Sequence, residues 1–310
     1  MTLLYYAPVF LDHETGDHPE CAARILPTIR HLNQVAMHAK CTRPSWTEVT
    51  DDRLQRVHAA EYIESVKMFA EQGGGFIEQD TVVCPQSYRV ARMAVGAVCD
   101  AVQRVLRGDE EQAFCLIRPP GHHALTSSAM GFCLFNNVAV GARQAILELK
   151  LERVLIVDWD VHHGNGTQEI FWEDAQVGYF SIHRFPFYPG TGAADEVGAG
   201  AGYGTTLNVP VKFGTPRDQY LAMFTSALER FADLIRPQLV LISAGFDSHY
   251  NDPLGSLGLE SEDFGTLTRI VLDVAAKYAN GRVVSVLEGG YSPAALAESV
   301  EYHLHELLSV

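Results

Sequence analysis

The chain has 310 residues, 47% of them hydrophobic and 20% charged, the composition of a globular protein with enough length to bury a large core. Its 23 Lys and Arg against 38 Asp and Glu give a formal charge of −15, which argues against a nucleic-acid surface and favours cationic partners such as basic peptides or polyamines. No apolar run reaches membrane-span length, the N-terminus lacks the basic and apolar regions of a signal peptide, and the six cysteines follow no CxxC or framework spacing, so no membrane association, a cytoplasmic location and free thiols are expected.

In chain order, Leu3–Tyr6 reads as a first strand and Pro19–Val35 as a helix. An eighth, less regular strand is expected near Cys41–Val49. Helical patterns follow at Ala60–Gln72 and Ser87–Arg107, then a strand at Ala113–Ile117 and a helix at Asn136–Leu149. Arg153–Val157, Val177–Ile182 and Thr206–Val209 read as strands, followed by a helix at Pro216–Ile235. Strand Leu239–Ser243, helix Ser261–Tyr278, strand Arg282–Leu287 and helix Pro293–Leu308 complete the chain. No repeat, low-complexity block or linker interrupts the alternation. It predicts an α/β fold, a mostly parallel sheet covered by helices on both faces, as a single domain over residues 1–310.

Ligands of open parallel sheets bind beyond the carboxyl ends of the strands, and the polar clusters of this sequence fall there. Arg118-Pro119-Pro120-Gly121-His122-His123 follows one strand, and Asp158-Trp159-Asp160-Val161-His162-His163-Gly164-Asn165-Gly166 follows another. Gly245-Phe246-Asp247 and Glu288-Gly289-Gly290-Tyr291 follow two more, which points to one shared site. In extended chain, alternate side chains share a face, so Asp158, Asp160 and His162 point the same way. Asp160, His162 and Asp247 supply one nitrogen and two carboxylates and leave positions open, as at catalytic zinc. The donor set also accepts Fe(II), Mn(II) or Co(II).

His122 and His123 each need an acceptor on the second ring nitrogen, and Asp158 and Asn165 are the candidates. A carboxylate favours the imidazolium more than a neutral amide does, so the two pKa values should separate. Tyr291, in a Gly-Gly-Tyr turn, is placed to donate to an oxyanion. Together these groups suit amide hydrolysis. No GxSxG elbow, P-loop or strand-following GxGxxG is present.

These residues resemble the zinc-dependent histone deacetylase superfamily, in its class II-like bacterial branch. The resemblance also rests on His18-Pro19-Glu20 with Arg24, Val57-His58, Gly131-Phe132-Cys133 with Phe135-Asn136-Asn137, Tyr188-Pro189-Gly190-Thr191-Gly192 and Asp252-Pro253-Leu254-Gly255. It implies a three-layer α/β/α arginase–deacetylase fold with an eight-stranded, mostly parallel sheet, and a lysine deacylase. It implies Asp160, His162 and Asp247 as zinc ligands, His123 as general base and acid, and His122 as its electrostatic partner. Asp158 would orient His122, Asn165 would orient His123, and Tyr291 would stabilise the transition state. Asn165 stands where class I members carry Asp, and suits class II.

Gly131, Phe132, Tyr188 and Leu254 correspond to substrate-binding positions. Tyr188 stands where Phe is usual. Leu254 stands where polyamine-specialised relatives are acidic, which favours acylated lysine peptides or proteins over acetylpolyamines. Structural potassium would use Asp158, Asp160, His162, Ser181 and Ile182, and a second monovalent cation the carbonyls near Phe171, Asp174 and Val177. Asp80 or Thr81 would meet substrate backbone at the rim. His163 and His249 are read as structural or rim residues, and homo-oligomerisation is compatible with the sequence.

Three other readings rank lower. An acetylpolyamine amidohydrolase shares every catalytic part. A binuclear manganese ureohydrolase requires two further bridging carboxylates, and this chain has Gly164 and His249 there. A non-catalytic acyl-lysine reader requires a broken site, and none of these residues is missing.

Overall fold

The computed structural model describes residues 1–309. The chain runs through β1 (Leu3–Tyr5), α1 (Ile25–Gln34), α2 (Asp51–Leu54), α3 (Ala60–Glu71), β2 (Gly75–Glu78), β3 (Thr81–Val83), α4 (Ser87–Arg107) and β4 (Gln112–Cys115). It continues through α5 (Asn137–Leu147), β5 (Val154–Asp158), α6 (Asn165–Phe171), β6 (Val177–Arg184), β7 (Thr206–Val211) and α7 (Arg217–Ile235). The last elements are β8 (Leu239–Ala244), α8 (Ser261–Tyr278), β9 (Val283–Leu287) and α9 (Pro293–Leu308). No helix among the described residues is long and apolar enough to cross a membrane.

Seven strands form one parallel sheet in the order β1-β4-β9-β8-β5-β6-β7. Its central strands are apolar and fully buried because helices cover both faces. α4, α5 and α6 pack together in one layer, and α1, α9, α8 and α7 in the other. From β5 the chain moves outward through α6 to β6. From β8 it moves the opposite way through α8 to β9. The crevice above β5 and β8 is therefore the topological switch point, where open α/β sheets place their ligands.

The expected eighth strand at Cys41–Val49 is not formed, and the sheet has seven strands rather than eight. Only Thr42 pairs with the free edge of β1, through Leu4 N–H to Thr42 O (2.8 Å) and Thr42 N–H to Thr2 O (3.0 Å). Pro44 then denies the ladder a donor. The segment turns onto α4, where Trp46 Nε1 donates to Met93 O (3.0 Å) and Val49 N–H to Arg92 O (3.1 Å). A separate antiparallel hairpin, β2–β3, was not expected. The first helix begins later than the sequence pattern suggests, at Ala22 as a 3-10 turn and at Ile25 as α-helix. At the far margin of the sheet, the outermost strand β7 contains Pro210.

Candidate active site

Where β5 runs out, the loop's own backbone orients its carboxylates. Asp160 N–H donates to Asp158 Oδ1 (3.1 Å), His162 N–H to Asp160 Oδ1 (2.9 Å) and Val161 N–H to Asp247 Oδ1 (2.9 Å). Gly289 N–H, from the loop after β9, reaches Asp160 Oδ2 at 2.8 Å. A Cβ at Gly289 would lie 2.1 Å from Asp247 Oδ2, so only glycine permits this approach.

Donor atoms of Asp160, His162 and Asp247 all lie within 4.8 Å of one another. His162 Nδ1 is 3.0 Å from Asp160 Oδ1 and 3.1 Å from Asp247 Oδ2. That Asp247 oxygen is buried and makes no hydrogen bond of acceptable geometry. Burial, then the neighbouring Asp160 charge, pushes the Asp247 carboxyl up to about 7. An orphaned carboxylate oxygen facing a second buried acid and an imidazole fits a divalent cation, which would supply both a partner and the missing charge.

The two adjacent histidines have different partners. His122 Nδ1 lies 3.0 Å from Asp158 Oδ2, which also receives the Tyr179 hydroxyl at 3.1 Å. His123 Nδ1 lies 2.7 Å from the neutral Asn165 Oδ1. Burial lowers the pKa of both. For His122 the charges of Asp158 and Asp160 outweigh burial and lift it to about 10. For His123 the positive charges of His122 and His162 add to burial and hold it well below the usual histidine range. Glu288 fixes the loop from below, accepting the N–H groups of Gly121 (2.6 Å) and His122 (3.2 Å) and the Ser243 hydroxyl (3.0 Å). The sequence marked the Glu288 cluster without assigning it this part.

A cavity of about 210 Å³ opens above these groups. Phe132, Phe187, Tyr188 and Leu254 form its walls and rim, with His123, His162 and Tyr291 inside. Gly131 passes so close to His123 that a Cβ would sit 2.3 Å from the ring, and Gly131 and Phe132 both have positive φ. Phe132 meets Tyr291 edge-on at 5.7 Å, and Tyr188 meets His123 edge-on at 5.3 Å. The Tyr188 hydroxyl donates to Asp80 Oδ2 (3.0 Å). Asp80 Oδ1 receives Gly131 N–H (3.2 Å) and the Thr81 hydroxyl (2.8 Å), and that hydroxyl receives Phe132 N–H (3.1 Å). Asp80 and Thr81 thus fasten the cavity's own walls. Phe187, stacked on His162 at 5.3 Å, was missed from sequence; its only signal was the aromatic and proline run beside Tyr188.

Tyr291 N–H donates to Asp252 Oδ2 (2.6 Å), and the Arg24 guanidinium lies 4.6 Å from the ring centroid. Burial keeps the phenol protonated and so able to donate. Arg24 is itself part of a buried ion cluster. It donates to Gly290 O (2.7 Å), Glu288 O (2.6 Å) and Glu20 Oε1 (2.9 Å). Arg118 grips the Glu20 carboxylate with two bonds, at 2.6 and 2.7 Å.

The other expected positions lie around this centre. Asp158 and Ser181 are paired across β5 and β6, with Ile182 adjacent and the Ser181 hydroxyl 2.9 Å from His183 Nδ1. Phe171, Asp174 and Val177 bracket the turn from α6 to β6, where Arg143 pairs with Asp174 and lies 4.7 Å from the Phe171 ring. His163 hydrogen-bonds Thr191 (2.8 Å) and Gln168 (3.0 Å). His249 accepts Asn251 N–H (3.1 Å) and meets Ser261 (3.3 Å), outside the cavity lining.

An open parallel sheet with a buried aspartate–histidine–aspartate set at its switch point defines an α/β protein with a candidate metal centre. The chain belongs to the histone deacetylase family, whose histone deacetylase domain matches residues 18–307. It is 43% identical over 270 residues to the histone deacetylase-like amidohydrolase of Pseudomonas aeruginosa, covering 85% of this chain and 70% of that protein. It is 37% identical to a probable deacetylase of Archaeoglobus fulgidus, over 94% of this chain and 82% of the relative. The crystal structure of the HDA15 HD domain superposes with a TM-score of 0.94 at 36% identity, over 99% of this chain and 88% of that one.

Proposed function

We propose that the protein removes acetyl or other acyl groups from the Nε of lysine in peptides or proteins, with a divalent ion, zinc by preference, held by Asp160, His162 and Asp247. The observation that carries this reading is the narrow aromatic cavity with His123, His162 and Tyr291 together inside it. Its walls suit an apolar lysine stem, and its inner end suits an amide. When bound, the ion supplies Lewis acidity that polarises the scissile carbonyl and acidifies water.

The chain's own groups do the rest. Asn165 Oδ1 accepts a hydrogen bond from His123 Nδ1–H, which keeps that proton on Nδ1 and leaves Nε2 free to accept one from the attacking water. The same nitrogen returns that proton to the departing lysine amine. His122, kept as imidazolium by Asp158, lends positive charge beside the reacting centre. The protonated Tyr291 hydroxyl donates to the oxygen that gains charge. Structural potassium is assigned to Asp158, Asp160, His162, Ser181 and Ile182.

An acetylpolyamine is less well served. Its second ammonium needs a carboxylate, and the one acidic side chain among the described residues of the wall, Asp80, already accepts three hydrogen bonds. The test is a rate panel on acetyl-lysine peptides, longer acyl-lysines and acetylated polyamines, with metal content measured on the same preparation. Acyl-lysine peptides are expected to lead, with kcat falling on the order of 100-fold or more in Tyr291→Phe. A strong preference for acetylputrescine would overturn the substrate, and equal, negligible rates in both proteins would overturn the enzyme.

A further inference from the structure

Arg184, the last residue of β6, directs its guanidinium to a backbone carbonyl rather than into an ion pair, although the chain has 38 acidic residues. It lies between two rings instead, 4.1 Å from the Phe187 centroid and 4.5 Å from that of Phe213. Phe187 in turn stacks on His162 at an interplanar angle of 14°. The contacts run from a candidate metal ligand to solvent, where Phe213 is 67% exposed.

The same guanidinium donates Nη1 to Gly255 O at 3.1 Å. Gly255 follows Leu254 at the cavity rim, and Asp252 Oδ1 accepts the N–H groups of both (3.0 and 2.9 Å). Asp252 Oδ2 holds Tyr291 N–H, so the rim loop is tied to the phenol as well. Arg184 N–H is fixed to Val161 O (2.9 Å), beside His162. An arginine that only covered an aromatic patch would need no bond to the rim carbonyl. A planar guanidinium can lie against two rings and donate in its plane at the same time, whereas an ammonium cannot.

We infer that Arg184 is a positioning residue that sets the spacing between the Phe187 wall and the Leu254 rim, and so limits which acyl-lysine stems the cavity accepts. This rests on the hydrolase reading above.

Three variants test it. Arg184→Met keeps length and apolar stem, Arg184→Lys keeps charge, and Phe213→Ala removes only the exposed outer ring. In Arg184→Met, KM for acetyl-lysine peptides is expected to rise about 3- to 10-fold while kcat stays within about twofold, because ground-state and transition-state binding weaken together. The ratio of butyryl- to acetyl-lysine turnover should rise too. Arg184→Lys should recover part of the loss, and Phe213→Ala should raise KM about twofold. A crystal structure of Arg184→Met should show Phe187 off the His162 ring and Leu254 displaced. Unchanged KM and acyl ratio, with Phe187 and Leu254 in place, would overturn the inference. A wild-type protein inactive on all acyl-lysines would overturn the functional reading instead, and the positions of Phe187 and Leu254 would then decide the part played by Arg184.

Discussion

His122 and His123 are chemically the same side chain, and their neighbours make them different. A buried carboxylate faces one and a carboxamide faces the other. Replacing Asn165 with Asp would place a negative charge against His123, opposing the burial and the positive neighbours that hold its pKa down. The acid limb of kcat/KM, where the base becomes protonated, should then move to higher pH by about one unit or more. A pH–rate profile that superposes on the wild type would sink this assignment. These histidines, Asp160, His162 and Asp247 were legible in the sequence because unusual polar residues cluster just after strands. Phe187 and Glu288 were not. Phe187 sits between prolines and reads as loop filling, and the acceptors' task of Glu288 exists only once residues 121 and 122 fold back onto it from a distant part of the chain.

At the scale of elements, the N-terminal segment is held to the site by charge. Glu20, Arg24 and Arg118 are all at most 1% exposed, and they join residues before α1 to the loops after β4 and β9. Burial alone would raise the Glu20 carboxyl, but Arg118, then His13 and Arg24, hold it down at about 2. Glu20→Gln leaves two buried guanidinium groups without their anion, so urea denaturation should report a loss of about 3–5 kcal/mol. A loss below about 1 kcal/mol would show that the cluster is solvated or redundant. This network explains why the first helix starts late, since Pro19 to Cys21 are drawn into the cluster's turn. The seven sheet strands were readable because strands buried on both faces are continuous apolar runs. The hairpin was not, because Gly73-Gly74-Gly75 and an exposed β2 lack alternation. Cys41–Val49 misled because its β-prone residues serve packing on α4.

For the molecule as a whole, buried neutral histidines make one contribution to the response to acid, opposed by the raised Asp247 and Glu288 carboxyls, which bind protons in the folded state. Burial holds His13 and His58 at about 4 and His303 at about 3. His58 shows why: its Nδ1 meets Leu125 O while Nε2 accepts Asn136 N–H, so protonation there breaks a bond. In the unfolded chain these rings protonate near 6.5. Between about pH 6.5 and 4 these rings therefore bind more protons in the unfolded state, and their share of the stability falls as pH falls. Each group contributes up to about 1.4 kcal/mol per pH unit in that window. Ring-proton NMR titration should find these three histidines neutral down to about pH 5, and protonation near 6.5 would contradict neutral burial.

The two margins of the sheet carry a consequence for behaviour at high concentration. Open parallel sheets tempt a neighbouring chain to extend them, since an outer strand offers unpaired amide and carbonyl groups. Here Thr42 already occupies part of one border, and Pro210 removes a donor from the other. Strand-by-strand recruitment of further copies is thereby discouraged at both ends of the sheet.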